Sequence, residues 1–198
     1  GKTIDTLPRL KAICSKIESI EQLVVVPVIQ DAVAIDGFGN AVLFHDFLSA
    51  HRGAALFCEQ LPFNHPLYIM YSSGTTGAPK CIVHSAGGTL IQHLKEHQLH
   101  VDLKPSDRLF YFTTCGWMMW NWLVSGLASG ATLVLYDGSP FYPDAKALID
   151  LVEAEQVSIF GTSAKYLSAL EKAGVNPNKT HNLSQLRTLL STGSPLSQ

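Results

Sequence analysis

A chain of 198 residues, 46% hydrophobic and 15% charged, with a net charge of −2, is long enough to bury a core and too evenly charged to hold nucleic acid or an anionic membrane by its overall field. The four cysteines, Cys14, Cys58, Cys81 and Cys115, form no C-x-x-C pair and have no histidine at zinc-finger spacing, so neither a disulfide framework nor a structural metal is indicated, and a reducing, cytosolic setting fits. The longest apolar stretch, Gly116 to Ala128, is too short to span a bilayer, and no basic, apolar and small-residue signal opens the chain.

In chain order, a helical stretch from Pro8 to Glu18 precedes the apolar run Leu23 to Ile29, and His45 to Leu48 begins another short helix. Leu67 to Tyr71 reads as a strand, Cys81 to His84 as its returning partner, and Gly87 to about His100 as a helix with Leu90, Leu94 and Val101 near one face. The remainder alternates. Arg108 to Thr113 is a strand, Trp117 to Ala128 a helix, Ala131 to Tyr136 a buried strand, and Tyr142 to Glu155 a helix. Val157 to Phe160, Ser163 to Lys172 and Leu186 to Leu190 complete a strand, helix, strand series, with Asn176 to Asn178 as a surface loop. Such alternation predicts the α/β class, a largely parallel sheet with covering helices. One domain is expected; the chain opens on Gly1 rather than methionine and stops at Gln198, just after a Ser194-Pro195 pair typical of a helix start, so it reads as an internal fragment.

Between the first two strands of the later part stands Y-S-S-G-T-T-G-A-P-K, Tyr71 to Lys80, the most informative segment of the chain. Gly74 and Gly77 allow conformations in which successive N–H groups converge on an anion. Ser72, Ser73, Thr75 and Thr76 add hydroxyl donors, and Lys80 adds a mobile positive charge. The segment is not a Walker A loop, because Cys81 stands where that motif needs a hydroxyl residue. Ligands of parallel sheets gather at the carboxyl ends of strands, which directs attention to residues 113–120, Gly161-Thr162-Ser163 and Ser191-Thr192-Gly193-Ser194-Pro195. Their glycines admit a flat ligand closely, and the tryptophans and methionines of Gly116-Trp117-Met118-Met119-Trp120 are either ordinary core or the wall of a small apolar pocket.

The Tyr71 to Lys80 run resembles the nucleotide-phosphate loop of the adenylate-forming superfamily, which holds the acyl-CoA synthetases, firefly luciferases and peptide-synthetase adenylation domains. K-C-I-V-H-S-A-G-G, Lys80 to Gly88, resembles the K-x-x-x-H-x-x-G-G continuation of the acetyl-CoA synthetase branch. Gly116 to Ala128, Leu135 to Pro140 and Ser191 to Leu196 together resemble the acetoacetate–CoA ligases. The resemblance covers essentially the whole chain. It implies part of the N-terminal domain of an adenylate-forming enzyme, with residues 1–198 a partial AMP-binding domain and the C-terminal domain absent. The implied reaction joins acetoacetate to the α-phosphate of ATP, releases pyrophosphate, and passes the acyl group to coenzyme A.

Carried over by position, Ser72, Ser73, Gly74, Thr75, Thr76, Gly77 and Lys80 match the loop holding the β- and γ-phosphates, as positioning groups rather than nucleophiles. Gly193, Ser194 and Pro195 match the turn that packs on adenine, although Ser194 stands where acetyl-CoA synthetases usually have an acidic residue. Trp117 and Met118 match the segment bordering the acyl pocket, with Gly161 and Thr162 on the same side. No Y-G-x-T-E segment for a Mg2+-binding glutamate, no ribose-binding aspartate motif and no adenylation lysine occur, so these are expected beyond Gln198 and the 198-residue chain alone is expected to be inactive. Another short-chain acyl-CoA synthetase, or a truncated non-catalytic product of such a gene, is the alternative.

Other constellations carry less. His93, His97 and His100 recur at helical spacing without a neighbouring H-E-x-x-H glutamate and read as a solvated histidine face. Ser163 and Lys165 miss the S-x-x-K spacing, and no G-x-S-x-G elbow appears. His84 either bonds the phosphate-type loop or satisfies a strand end.

Overall fold

The structure, a computed structural model, describes residues 4–29, 33–49, 51–72 and 77–196. It divides into two compact units, Gly1–Glu59 and Gln60–Gln198. In the first, α1 (Leu7–Cys14) starts with Pro8 in its first turn, where a missing N–H costs nothing. Strand β1 (Leu23–Val25) pairs in parallel with β2 (Ala41–Leu43), which runs directly into α2 (Phe44–Ser49). Asn40 joins the two strand starts: its amide donates to the carbonyls of Ile20 and Glu21 at 3.1 and 3.0 Å, and its own carbonyl accepts from Gln22 Nε2 at 2.9 Å. Strand β1 is shorter than the apolar run Leu23 to Ile29 suggests, because Pro27 has no N–H for a ladder.

The second unit begins with an antiparallel hairpin, β3 (Pro66–Ser72) and β4 (Lys80–Ser85), with Ser72 opposite Lys80 and Tyr68 opposite His84. Along β3 the more buried positions are Tyr68, Met70 and Ser72, the period of two that a strand requires. The chain passes from β4 into α3 (Ala86–Lys95) through Ser85, whose hydroxyl accepts from Gly88 N–H at 3.3 Å. The paired glycines here have a packing reason. A Cβ on Gly87 would lie 2.1 Å from the Phe63 ring, and one on Gly88 would lie 2.6 Å from the capping Ser85 Oγ. Helix α3 then widens into a single π turn, Glu96–His100, closed by Val101 N–H to Glu96 O at 3.0 Å.

Four parallel strands follow: β5 (Arg108–Tyr111), β6 (Thr132–Val134), β7 (Ile159–Ser163) and β8 (Thr188–Thr192), in the spatial order β6-β5-β7-β8. Helices α4 (Met118–Ser125), α5 (Ala147–Ala154) and α6 (Ala164–Lys172) connect them, the last capped by the Ser163 hydroxyl at 3.2 Å. Strand periodicity divides the apolar side chains between two faces. Phe110 and Phe160 stack at 5.4 Å on one face with Leu148, Val152 and Tyr166, while Leu109, Tyr111 and Ile159 pack on the other with Trp122 and Leu123. The expected α/β class with a largely parallel sheet is what forms.

Several boundaries differ from the sequence expectation, among them β6, which spans only Thr132–Val134 and has one buried residue, Val134, where the sequence predicts a buried strand from Ala131 to Tyr136. The helix expected from Tyr142 begins at Ala147, because the Asp144 carboxylate takes the Lys146 N–H at 2.7 Å and holds the preceding residues in turns. Residues 176–178, read as loop, open a one-turn helix, α7 (Pro177–Thr180), with proline in its first turn. Among the described residues no helix is long and apolar enough to cross a membrane.

A cavity between hairpin, helices and sheet

Because β5, β7 and β8 are parallel neighbours, their carboxyl ends lie side by side: Tyr111 is level with Gly161 and Leu190, and Thr162 with Ser191. This places the three strand-end loops together, as parallel topology requires. In front of them is a cavity of about 670 Å³. The hairpin contributes Tyr68, Met70, Val83 and His84; α3 and its π turn contribute Thr89, Gln92, His93, Glu96 and His100. Tyr111, then Met118, Met119, Asn121 and Trp122 of α4, and Leu190, Ser191 and Thr192 of β8 complete it. A donated hydrogen bond from Asn121 Nδ2 to Met70 Sδ, 3.4 Å, joins α4 to the hairpin.

Of the residues singled out from sequence, Met118 lines this cavity and is 51% exposed, whereas Trp117, 52% exposed, precedes α4 and is not part of its wall. Gly161 and Thr162 are both buried. The flat group that Gly161 admits is the protein's own: a Cβ there would stand 2.0 Å from the Tyr111 ring. Tyr111 donates its hydroxyl to Thr162 O at 3.3 Å and lines the cavity, and burial pushes its phenol up to about 12, so it remains a neutral donor. Thr162 Oγ1 is buried with no hydrogen-bond partner among the described residues.

Ser72 lies at the hairpin's end on the same strand face as Tyr68 and Met70, with Lys80 opposite it and exposed. Gly77 is exposed with open space around its Cα, and Ser73, Gly74, Thr75 and Thr76 lie outside the described residues. Gly193 follows β8 at φ +94°, a conformation L side chains rarely adopt, and Ser194 and Pro195 after it are exposed.

Of the three histidines expected on a solvated face, His100 is exposed, but His93 is half-buried and His97 buried. His97 is 0% exposed, packed against Trp122 with ring centroids 4.1 Å apart and planes tilted by 39°, and its Nε2–H points at the Trp122 carbonyl at 2.9 Å and at Ser125 Oγ at 3.1 Å. His93 Nδ1 lies 2.9 Å from the same Ser125 Oγ. Trp122 Nε1 donates to Glu96 Oε2 at 2.8 Å, and Gln92 Nε2 donates to Glu96 Oε1 at 2.6 Å. For His93 burial lowers the imidazole pKa, with Glu96 opposing and His84 reinforcing that direction. For His97 burial again dominates and lowers it, against the Trp122 carbonyl. Both rings are neutral near pH 7. The i, i+4 spacing was visible in the sequence; what was not visible is α4, 25 to 32 residues onward, which supplies the partners. Among the described residues no group of three or more histidine, cysteine or acidic side chains is placed to hold a metal.

The chain matches the family model for AMP-binding enzymes over residues 8–198. It is 55% identical over 198 residues to the acetoacetyl-coenzyme A synthetase of Rhizobium meliloti (strain 1021), covering 100% of this chain and 30% of that protein. It is 54% identical over 150 residues to the malonamoyl-CoA synthetase vrtB of Penicillium aethiopicum, covering 69% of this chain and 21% of that protein. The solved acetoacetyl-CoA synthetase from Streptomyces lividans is similar with a TM-score of 0.86 and 41% identity, over 99% of this chain and 29% of that one. The chain thus spans about 30% of the length of the acetoacetyl-coenzyme A synthetase it matches end to end.

Proposed function

We propose that this chain, which belongs to the AMP-binding enzyme family, works within an ATP-dependent acid–thiol ligase of the cytosol that activates acetoacetate as an acyl-adenylate and transfers it to coenzyme A. Residues 1–198 then form part of its AMP-binding domain, with an adenylation lysine supplied by a further C-terminal domain. The observation that carries this reading is one cavity bordered at once by Met118, by the end of β8 and by the hairpin whose turn holds the glycine and hydroxyl loop. The 55% identity to an acetoacetyl-coenzyme A synthetase across the whole chain supports it. The similarity to a malonamoyl-CoA synthetase favours a wider statement of the substrate class, since acetoacetyl and malonamoyl groups both carry a carbonyl at the third carbon.

In this reading the acyl group occupies the cavity beside Met118. Gly161 and Thr162 act through Tyr111, which they contact and which lines the cavity, and Trp117 acts from beside Met118. Ser72, Ser73, Gly74, Thr75, Thr76 and Gly77 wrap the β- and γ-phosphates of ATP, with Lys80 offsetting their charge as pyrophosphate departs. Gly193, Ser194 and Pro195 pack on adenine. The Mg2+ that would accompany ATP finds no ligand cluster among the described residues, and no step here depends on it.

The test is acetoacetate-dependent ATP–pyrophosphate exchange by the complete natural polypeptide. Lys80→Ala should lower kcat/KM for ATP by about 10- to 100-fold, the value of a charge-assisted phosphate contact. Its melting temperature should hold, because Lys80 is exposed. Exchange at the parental rate in that variant removes the phosphate assignment; no exchange with acetoacetate in the parent removes the reading itself.

A further inference from the structure

The hydrogen-bonded series His97, Ser125, His93 ends at the cavity. His97 must carry its proton on Nε2, because the Trp122 carbonyl 2.9 Å away can only accept, and its Nδ1 is buried without a partner among the described residues. Ser125 Oγ lies within reach of that same N–H at 3.1 Å and has two acceptors for its own proton, the Trp122 carbonyl at 2.7 Å and His93 Nδ1 at 2.9 Å. The choice sets the other side of His93. With the Ser125 hydroxyl donated to Trp122 O, His93 holds its hydrogen on Nδ1, donating to Ser125 Oγ, and Nε2 is a bare acceptor. With the hydroxyl proton directed at His93 Nδ1, the hydrogen sits on Nε2 and His93 becomes a donor. The second arrangement leaves Trp122 O its bond from His97, so a ligand that needs a donor selects it without orphaning a buried group.

We infer that His93 Nε2–H is the donor that recognises the 3-carbonyl oxygen of the acyl substrate, with Ser125 as the positioning residue that fixes the required tautomer. This rests on the 3-oxo acid reading above and names the group that distinguishes such acids from plain ones. Three features of the site agree. His93 is part of the cavity wall, and among the described residues its one polar side-chain partner is Ser125. Burial keeps the ring neutral, so it donates through a tautomer and not as a cation, and the tail it binds need not be anionic. Glu96, also on the wall, has both carboxylate oxygens occupied by Trp122 and Gln92. A fixed negative charge there repels a second carboxylate, which favours a ketone or amide at the third carbon over malonate.

The experiment compares kcat/KM for acid-dependent ATP–pyrophosphate exchange with acetoacetate and with butyrate, equal in carbon number but lacking the 3-oxygen, in the complete natural polypeptide. His93→Leu should reduce the acetoacetate-over-butyrate ratio by about 10- to 100-fold. His93→Gln, whose amide N–H can stand in for the imidazole donor, should keep most of it. Ser125→Ala should lower the ratio by a smaller factor, about 3- to 10-fold, because the donor tautomer is no longer enforced. A merely structural role would depress both acids together and leave the ratio unmoved. An unchanged ratio in His93→Leu therefore overturns this assignment alone, while a parent that does not exchange with acetoacetate overturns the functional reading and this assignment with it.

Discussion

Gly161→Ala should destabilise the parallel-sheet unit by about 3 kcal/mol, at the upper end for overpacking a tight core. The added methyl would stand 2.0, 2.3 and 2.6 Å from three atoms of the Tyr111 ring. That ring has little room to retreat: Tyr111 is 3% exposed, meets Trp122 edge-on at 5.9 Å and is tied through its hydroxyl to Thr162 O. The obstacle is a side chain, so the effect should couple to it. In a Tyr111→Leu background, urea unfolding should show Gly161→Ala costing less than about 1 kcal/mol. Equal costs in both backgrounds would mean that the ring is not what excludes a Cβ.

The second large effect is at the opposite end of the same strands. Asp107 precedes β5, Ser158 precedes β7 and Arg187 precedes β8, and the three side chains meet. The Asp107 carboxylate, buried, receives Arg187 Nη2 at 2.6 Å and Nε at 3.2 Å, Ser158 Oγ at 2.7 Å, and Lys104 N–H at 2.8 Å. Arg187 also donates to the carbonyls of Val101 and Asp102. Arg187→Met leaves that carboxylate buried and under-bonded. We expect a loss of about 2 to 3 kcal/mol, less than for a fully buried pair because the arginine side chain is 37% exposed.

The pH dependence has a definite sign. Burial pushes the Asp107 carboxyl up, but the hydrogen bonds from Arg187, Ser158 and Lys104, with the charge of Arg187, more than reverse this and hold it below the usual aspartate range. A depressed acid stabilises the fold above its unfolded pKa and loses that contribution as pH falls through the folded value. Thermal melts of parent and Arg187→Met should differ by a constant amount from pH 8 to about pH 5 and converge below about pH 4. A difference that grew on acidification would contradict the ion-pair account.

The centres of the sheet strands were legible from sequence because their signal is local. Leu109-Phe110 and Ile159-Phe160 are apolar on both faces, as strands covered by helices on both sides must be. The hairpin was equally plain, since its two runs flank a glycine-rich turn. What the sequence concealed were relations across chain distance. Met118 could be placed after a strand end, but nothing local distinguishes this cavity-lining methionine from the equally exposed Trp117 beside it. From sequence Gly161 reads as admitting a flat ligand, and only the pairing of β5 with β7 identifies the Tyr111 ring as what approaches it. The histidines of α3 and its π turn have a period that suits a wet or a buried face equally, and for His93 and His97 it is Ser125 and Trp122 that decide.

The π turn at Glu96–His100 has a consequence for the tolerated length of the chain. A π turn holds about one more residue than an α turn, so its backbone amounts to a single inserted position whose removal would let the helix close regularly. Deleting Gln98, an exposed residue inside it, would turn the Val101 N–H to Glu96 O bond into an ordinary α-helical one and continue α3 regularly. Val101 and Leu103, both buried in one cluster with Trp122 and Leu123, would keep their places. A library screened for folded protein should therefore accept the deletion of Gln98 as well as many substitutions there, and rejection of the deletion alone would show that the wide turn itself is required.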